Sequence, residues 1–126
     1  MSQTGSFDDR SPIYQQIAEK IKRDILHGDL RADDQVMSTN QYAAFYRINP
    51  ATAAKGFHQL LDEGYLYKRR GIGMFVSPDA QERLRARRRE RFFSDVVAPM
   101  VVEARALGIP VEEIIHHLNG KDGASR

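Results

Sequence analysis

The chain has no cysteine, which removes structural disulfides, thiolate zinc sites and a cysteine nucleophile from consideration. It also lacks any apolar run near the roughly 18 residues that a membrane span requires. Its opening, MSQTGSFDDRSPIY, shows no basic segment followed by an apolar stretch. There is no glycine loop for a nucleotide, no pair of carboxylates at catalytic spacing, and no nucleophile with a base beside it. His116 and His117 are adjacent, so on a helix they diverge by about 100° and do not share a metal. The expectation is a soluble, cytoplasmic, non-enzymatic protein without metal or cofactor. At 126 residues, one small core and an appendage fit, but a second ligand-binding domain does not.

A dominant charge is missing too, since the formal net charge is only +2. Its distribution is more telling. Residues 1–63 carry −2, residues 64–91 carry +6, and residues 92–126 carry −2. Positive charge is therefore concentrated in one stretch, as expected of a local anion-binding surface rather than a generally basic protein.

Residues 1–10 are polar and without a period, and read as a loose arm. Ser11 and Pro12 then supply a cap and a first-turn proline for a helix. Ile13, Ile17, Ile21 and Ile25, with Tyr14, Ala18 and Leu26, form its apolar stripe, and Gly28 stops it. A polar connection follows, becoming extended near Val36. Ser38 with Gln41 forms a capping box at the start of a second helix, whose inward face is Tyr42, Ala43 and Tyr46. Asn49 and Pro50 are the cap and first residue of a third helix, which runs to about Glu63 with Ala53, Phe57, Leu60 and Leu61 facing inward.

Gly64 ends that helix, and Tyr65–Lys68 and Met74–Val76 read as two strands of a hairpin with Gly71 and Gly73 at its tip. Ser77 and Pro78 open a further helix, in which Pro99 predicts a kink or break because it removes the bond to the Asp95 carbonyl. Pro110–Leu118 forms a last short helix, and residues 119–126 a disordered tail. The fold class is mainly α with a small β wing: a winged helix-turn-helix followed by a short C-terminal helical segment. The division is an arm at 1–10, the winged helix-turn-helix at 11–77, the helical segment at 78–118, and a tail at 119–126.

A helix whose amino end faces DNA offers free amides to phosphate and first-turn side chains to base edges. Asn49, Ala51, Thr52 and Lys55 occupy those positions. Asn49 caps the helix, with or without a base contact as well. Ala51 and Thr52 are small enough for a thymine methyl, and Lys55 suits a phosphate or a guanine. Lys68, Arg69, Arg70 and Gly71 place three cations on one short turn, where they repel each other and gain little until an anion arrives. Six arginines between Arg83 and Arg91 form a solvated stem in the simpler reading, with phosphate contact as the other. Tyr42, Tyr46, Tyr65 and Tyr67 serve packing rather than base stacking.

SPIYQQIAEKIKRDILHGDL, the serine-led second helix and INPATAAKGFHQLLDEGYLYKRRGIGMFV resemble the GntR family of bacterial transcription regulators, and the short helical tail resembles its YtrA subfamily. The resemblance implies a homodimeric repressor on a double-stranded operator with two related half-sites. It adds Ser38 and Asn40 to the DNA-contacting positions and keeps Asn49, Ala51, Thr52, Lys55, Arg70 and Gly71 among them. It also implies dimerisation through the C-terminal helices, whose apolar positions are Phe93, Val96, Val97, Met100, Val101, Ala104, Leu107, Ile114, Ile115 and Leu118. A small effector would then bind at the dimer interface, though no residue identifies one. Asn40 stands where members carry an arginine, and Ala54 where many carry another, which moves electrostatic work to the wing. The competing readings are a protein-interaction adaptor on the same scaffold and a non-specific architectural DNA binder.

Overall fold

In the computed structural model, which describes residues 7–122, the chain forms two units, divided between Arg85 and Ala86. The first unit begins with α1 (Ile13–Leu26), α2 (Thr39–Tyr46) and α3 (Pro50–Asp62), followed by a hairpin of β1 (Leu66–Arg69) and β2 (Gly73–Val76). α4 (Ala80–Phe92) starts in this unit and ends in the second.

Apolar spacing along α1 buries Ile17, Ala18, Ile21 and Ile25 against α3, where Ala53, Gly56, Phe57 and Leu60 are buried in turn. The close approach of the two helices depends on Gly56, because a Cβ there would stand 2.9 Å from the Tyr14 carbonyl oxygen and 3.1 Å from Ile17 Cβ. Tyr42 and Ala43 of α2, Tyr65 and Leu66 at the start of the hairpin, and Ala80 and Leu84 of α4 close the same cluster. The Tyr42 hydroxyl is buried without a partner among the described residues, and burial pushes its pKa well above the ordinary tyrosine value.

The hairpin is antiparallel, pairing Leu66 with Val76, Tyr67 with Phe75, Lys68 with Met74 and Arg69 with Gly73. The connection after α1 is less loose than its polarity suggests. Asp33 N–H donates to the Val76 carbonyl, Val76 N–H to that of Asp34, and Val36 N–H to that of Met74, at 2.8–2.9 Å. Residues 33–36 therefore line the free edge of β2, which protects it from pairing elsewhere.

Three local expectations are corrected. Pro12 is the N-cap of α1 rather than its first residue, and no side chain caps it. Instead, the Gln16 side chain accepts from Asp8 N–H and donates to the Asp8 and Ser11 carbonyls. The arm is correspondingly anchored from residue 7 onward, where the Phe7 ring meets Tyr46 edge-on at 5.9 Å; residues 1–6 lie outside the described residues. α4 starts at Ala80, because Ser77 still continues the hairpin, its N–H bonded to the Tyr65 carbonyl.

The second unit holds the end of α4, a π-helical turn at Phe93–Val97, α5 (Ala98–Ala106), α6 (Val111–His117) and a π-helical turn at Leu118–Asp122. The α-helical pattern is interrupted just before Pro99, as the proline predicts, and the interruption is that first π-helical turn. Ala98 N–H bonds the Phe93 carbonyl, and the backbone stays helical at Val97 (φ −71°, ψ −46°) and Ala98 (φ −60°, ψ −46°). The wide turn takes up the carbonyl that the proline ring would crowd. Residues 118–122 continue beyond α6 as a helical turn that runs into the disordered tail expected from residue 119, and 123–126 lie outside the described residues. Among the described residues, no helix is long and apolar enough to cross a membrane.

Candidate nucleic-acid interface

α2 starts with the expected capping box. Ser38 Oγ accepts from Gln41 N–H at 3.1 Å, and the Gln41 side chain accepts from Ser38 N–H at 2.9 Å. After α2 the chain turns at Arg47 in a left-handed conformation (φ 57°, ψ 51°), then enters α3 with Asn49 as N-cap and Pro50 as first residue. Asn49 Oδ1 accepts from Ala51 N–H at 2.7 Å. That bond uses the oxygen alone, leaving the side-chain NH2 with two donors for a base or phosphate.

The N-terminal turn of α2, the outer face of α3 and the wing surround a cleft of about 880 Å³. Of the ten expected DNA-contacting residues, Ser38, Lys68, Arg69, Arg70 and Gly71 line it. Asn49 and Ala51 are exposed, and Thr52 half-buried, on the first turn of α3 outside the cleft, while Asn40 is exposed on the first turn of α2. Lys55 is turned elsewhere. Its Nζ lies 4.2 Å from the centre of the Tyr14 ring on α1, a cation–π contact worth roughly 0.5–1 kcal/mol at an exposed site.

Sequence reasoning missed Gln35, Thr39, Gln41 and His58 as lining residues. His58 was open to discovery, since it falls one turn after Ala54 on the same face of α3. Gln35 was not, because its place depends on residues 33–36 pairing with β2. Its Nε2 donates to the Ile72 carbonyl at 3.1 Å, and a Cβ on Gly73 (φ 148°) would lie only 2.5 Å from that nitrogen.

Among the described residues, Lys68, Arg69 and Arg70 form no ion pair, while the Arg69 guanidinium lies 5.6 Å from the Phe75 ring centre. On the far side of the hairpin, the Tyr67 hydroxyl donates to the Asp33 carboxylate at 2.7 Å, and that bond raises the Tyr67 pKa. The Asp33 carboxylate, which does not line the cleft, is thereby engaged. The arginine run divides. Arg83 donates to the Gly64 and Glu63 carbonyls and lies 4.5 Å from the Tyr65 ring centre, so it secures the end of α3. Arg85 pairs with Glu82 at 3.6 Å and Arg91 with Asp95 at 3.2 Å. Arg87, Arg88 and Arg89 are exposed.

Among the described residues no group of histidine, aspartate and glutamate side chains could hold a metal ion. The chemistry of the cleft is that of an anion surface: cations, amide and hydroxyl donors, and small side chains beside a capped helix.

Known proteins are similar to this chain in sequence and fold. The chain is 28 % identical to the HTH-type transcriptional repressor YtrA of Bacillus subtilis over 104 residues, covering 82 % of this chain and 79 % of YtrA. It is 38 % identical to the repressor NagR of the same organism over 71 residues, which are 56 % of this chain but 29 % of NagR. Among solved structures, a GntR family transcriptional regulator from Listeria monocytogenes superimposes with a TM-score of 0.69 at 28 % identity, covering 91 % of this chain and 99 % of that one. The AraR DNA-binding domain, solved in complex with its operator ORE1, matches with a TM-score of 0.52 at 26 % identity over 60 % of this chain and 94 % of that one. Residues 13–76 match the family described as bacterial regulatory proteins, gntR family, and the chain belongs to that family of DNA-binding transcriptional regulators.

Proposed function

We propose that this protein is a cytoplasmic, non-enzymatic repressor that binds a palindromic operator as a homodimer. The observation that carries the reading is the gathering of Ser38 and the wing cations Lys68, Arg69 and Arg70 around one cleft, bordered by the outer face of α3. In this reading Asn49, Ala51 and Thr52 meet base edges in the major groove, and Ser38 and Asn40 meet the backbone. Lys55 exchanges the Tyr14 ring for a phosphate. The helical turn between the wing and α5 continues into a C-terminal segment that pairs two copies, setting the recognition helices roughly 34–36 Å apart. Phe93, Val96, Val97, Met100, Val101, Leu107, Ile114, Ile115 and Leu118 supply the apolar side of that pairing, whereas Ala104, expected among them, is already buried within its own copy. A small effector would act by binding between the copies and changing their spacing.

The test is a gel-shift titration on the DNA upstream of the protein's own reading frame and on a scrambled duplex, each at two salt concentrations. The upstream duplex is expected to bind at least about a thousandfold more tightly than the scrambled one. Arg70→Ala is expected to lower affinity for both by about tenfold and to reduce the salt slope by about one. Equal affinity for the two duplexes would make the protein an architectural binder, and no affinity for either would make it an adaptor.

A further inference from the structure

At the wing tip, Ile72 breaks the pattern that its neighbours follow. Leu66, Met74, Phe75 and Val76 are all buried, whereas Ile72 is 58 % exposed between two glycines and beside three cations. A solvated turn gains nothing from an aliphatic side chain, and turn chemistry favours small polar residues. Yet its backbone is held at both ends. Ile72 N–H donates to the Arg69 carbonyl at 2.9 Å, and the Ile72 carbonyl accepts from Gln35 Nε2 at 3.1 Å. Gln35 is itself fixed by pairing with Phe75 across the free edge of β2. The tip thus presents one aliphatic group whose own N–H and carbonyl are both bonded.

We propose that Ile72 reads the minor groove of the operator, and that Gln35 is the positioning residue that holds it at the right height. The inference rests on the reading that the wing faces DNA. Flanking cations would take the phosphates on either side of the groove, so that the tip enters between them. The groove floor at an A·T pair carries only acceptors, whereas a G·C pair adds the guanine 2-amino group, which projects into the groove. Ile72 cannot accept a hydrogen bond from that amino group and would strip water from it. The wing therefore selects against the 2-amino group and not against G·C as such.

Inosine·cytosine distinguishes these, because it keeps the major-groove edge of G·C and lacks only the 2-amino group. A duplex is selected from a random pool with the full chain, and the wing position is located by the hydroxyl-radical protection that Arg70→Ala loses. Pairs at that position are then set to A·T, I·C and G·C. The unaltered protein is expected to bind the first two alike and G·C about tenfold more weakly. Ile72→Ala is expected to bring that ratio close to one, Ile72→Val to preserve it, and Gln35→Leu to lose it although Ile72 is present. None of these variants should change the preference at positions facing α3. Equal binding of I·C and G·C, or an unchanged ratio in Ile72→Ala, overturns the role of Ile72, and an unchanged ratio in Gln35→Leu overturns that of Gln35. If no sequence is enriched from the pool, the parent reading of a sequence-specific regulator fails instead, and this inference with it.

Discussion

In the first unit Ile17, Ile25, Ala53 and Leu60 are all at 0 % exposure, while in the second Phe93 is at 70 %, Val102 at 64 % and Leu107 at 63 %. Ile17, Ile21 and Ile25 in the first unit, and Phe93, Val97, Met100, Ala104 and Leu107 in the second, both recur at the three- and four-residue spacing of an amphipathic helix. Spacing shows that a helix has an apolar face and leaves open what covers it. α1 is covered by α3, and the cluster extends to the hairpin and the start of α4. In the second unit Ala104 is the one side chain that is buried, among the described residues. The first unit is therefore a core that completes itself, and the second is a surface that a second copy completes under the proposed function. Large exposed apolar surfaces in soluble proteins commonly mark such contacts.

The strongest way to break this comparison is to charge the second unit. Phe93→Glu combined with Leu107→Glu is expected to convert dimers to monomers in analytical ultracentrifugation. Operator affinity would then fall by about a hundredfold or more, because the second half-site is no longer presented at high effective concentration. The thermal midpoint of the first unit should not move. If the doubly charged protein remains dimeric, those faces do not form the pairing surface.

The same contrast explains what was legible in the sequence. α1, α2 and α3 announce themselves through local signals: the isoleucine stripe of α1, the Ser38–Gln41 capping box and Asn49–Pro50 all form as their spacing implies. The cationic tip also lies beside α3, as the order of elements suggests. What escaped depends on partners distant in sequence. Gln35 acquires its role from a carbonyl 37 residues away, and Lys55 turns to a ring on α1. Gly56 looks like an ordinary weak point in a helix, while its neighbours across the interface make it essential. At Pro99 the expected interruption takes the form of a π-helical turn, with helical dihedrals kept at Val97 and Ala98.

Gly56→Ala sharpens the comparison within the self-completing core. Helix propensity alone favours alanine by about 1 kcal/mol. Packing opposes it, because the new methyl would press on the Tyr14 carbonyl and on Ile17, and backbone at 2.9 Å cannot move aside without parting α1 from α3. Overpacking of this kind costs about 1–3 kcal/mol, so the net expectation is a lowered midpoint by circular dichroism, with weaker operator binding as α3 shifts. Gly120 in the second unit has nothing within 4 Å of such a methyl, and Gly120→Ala should leave the midpoint nearly unchanged. A stabilised Gly56→Ala would mean that the two helices have room to spare.

The smallest expected effect concerns Asp24, half-buried on α1. Burial raises its pKa above the usual carboxylate range, and the neighbouring Lys20 only partly offsets this. A folded-state pKa above the unfolded value means that the native protein binds the proton more tightly. The resulting destabilisation is absent below the unfolded value of about 3.9, grows as pH rises through the folded value, and is constant above it. Asp24→Asn should therefore raise the midpoint at neutral pH, by less than Gly56→Ala lowers it, and the gain should disappear in acid. Asp8 makes the opposite case. Its pKa is lowered by bonds from Arg10, but the pair is exposed, where solvent screens it and stability gains little. A gain for Asp24→Asn that persisted in acid, where the carboxyl is protonated in both states, would show that the effect does not come from burying its charge.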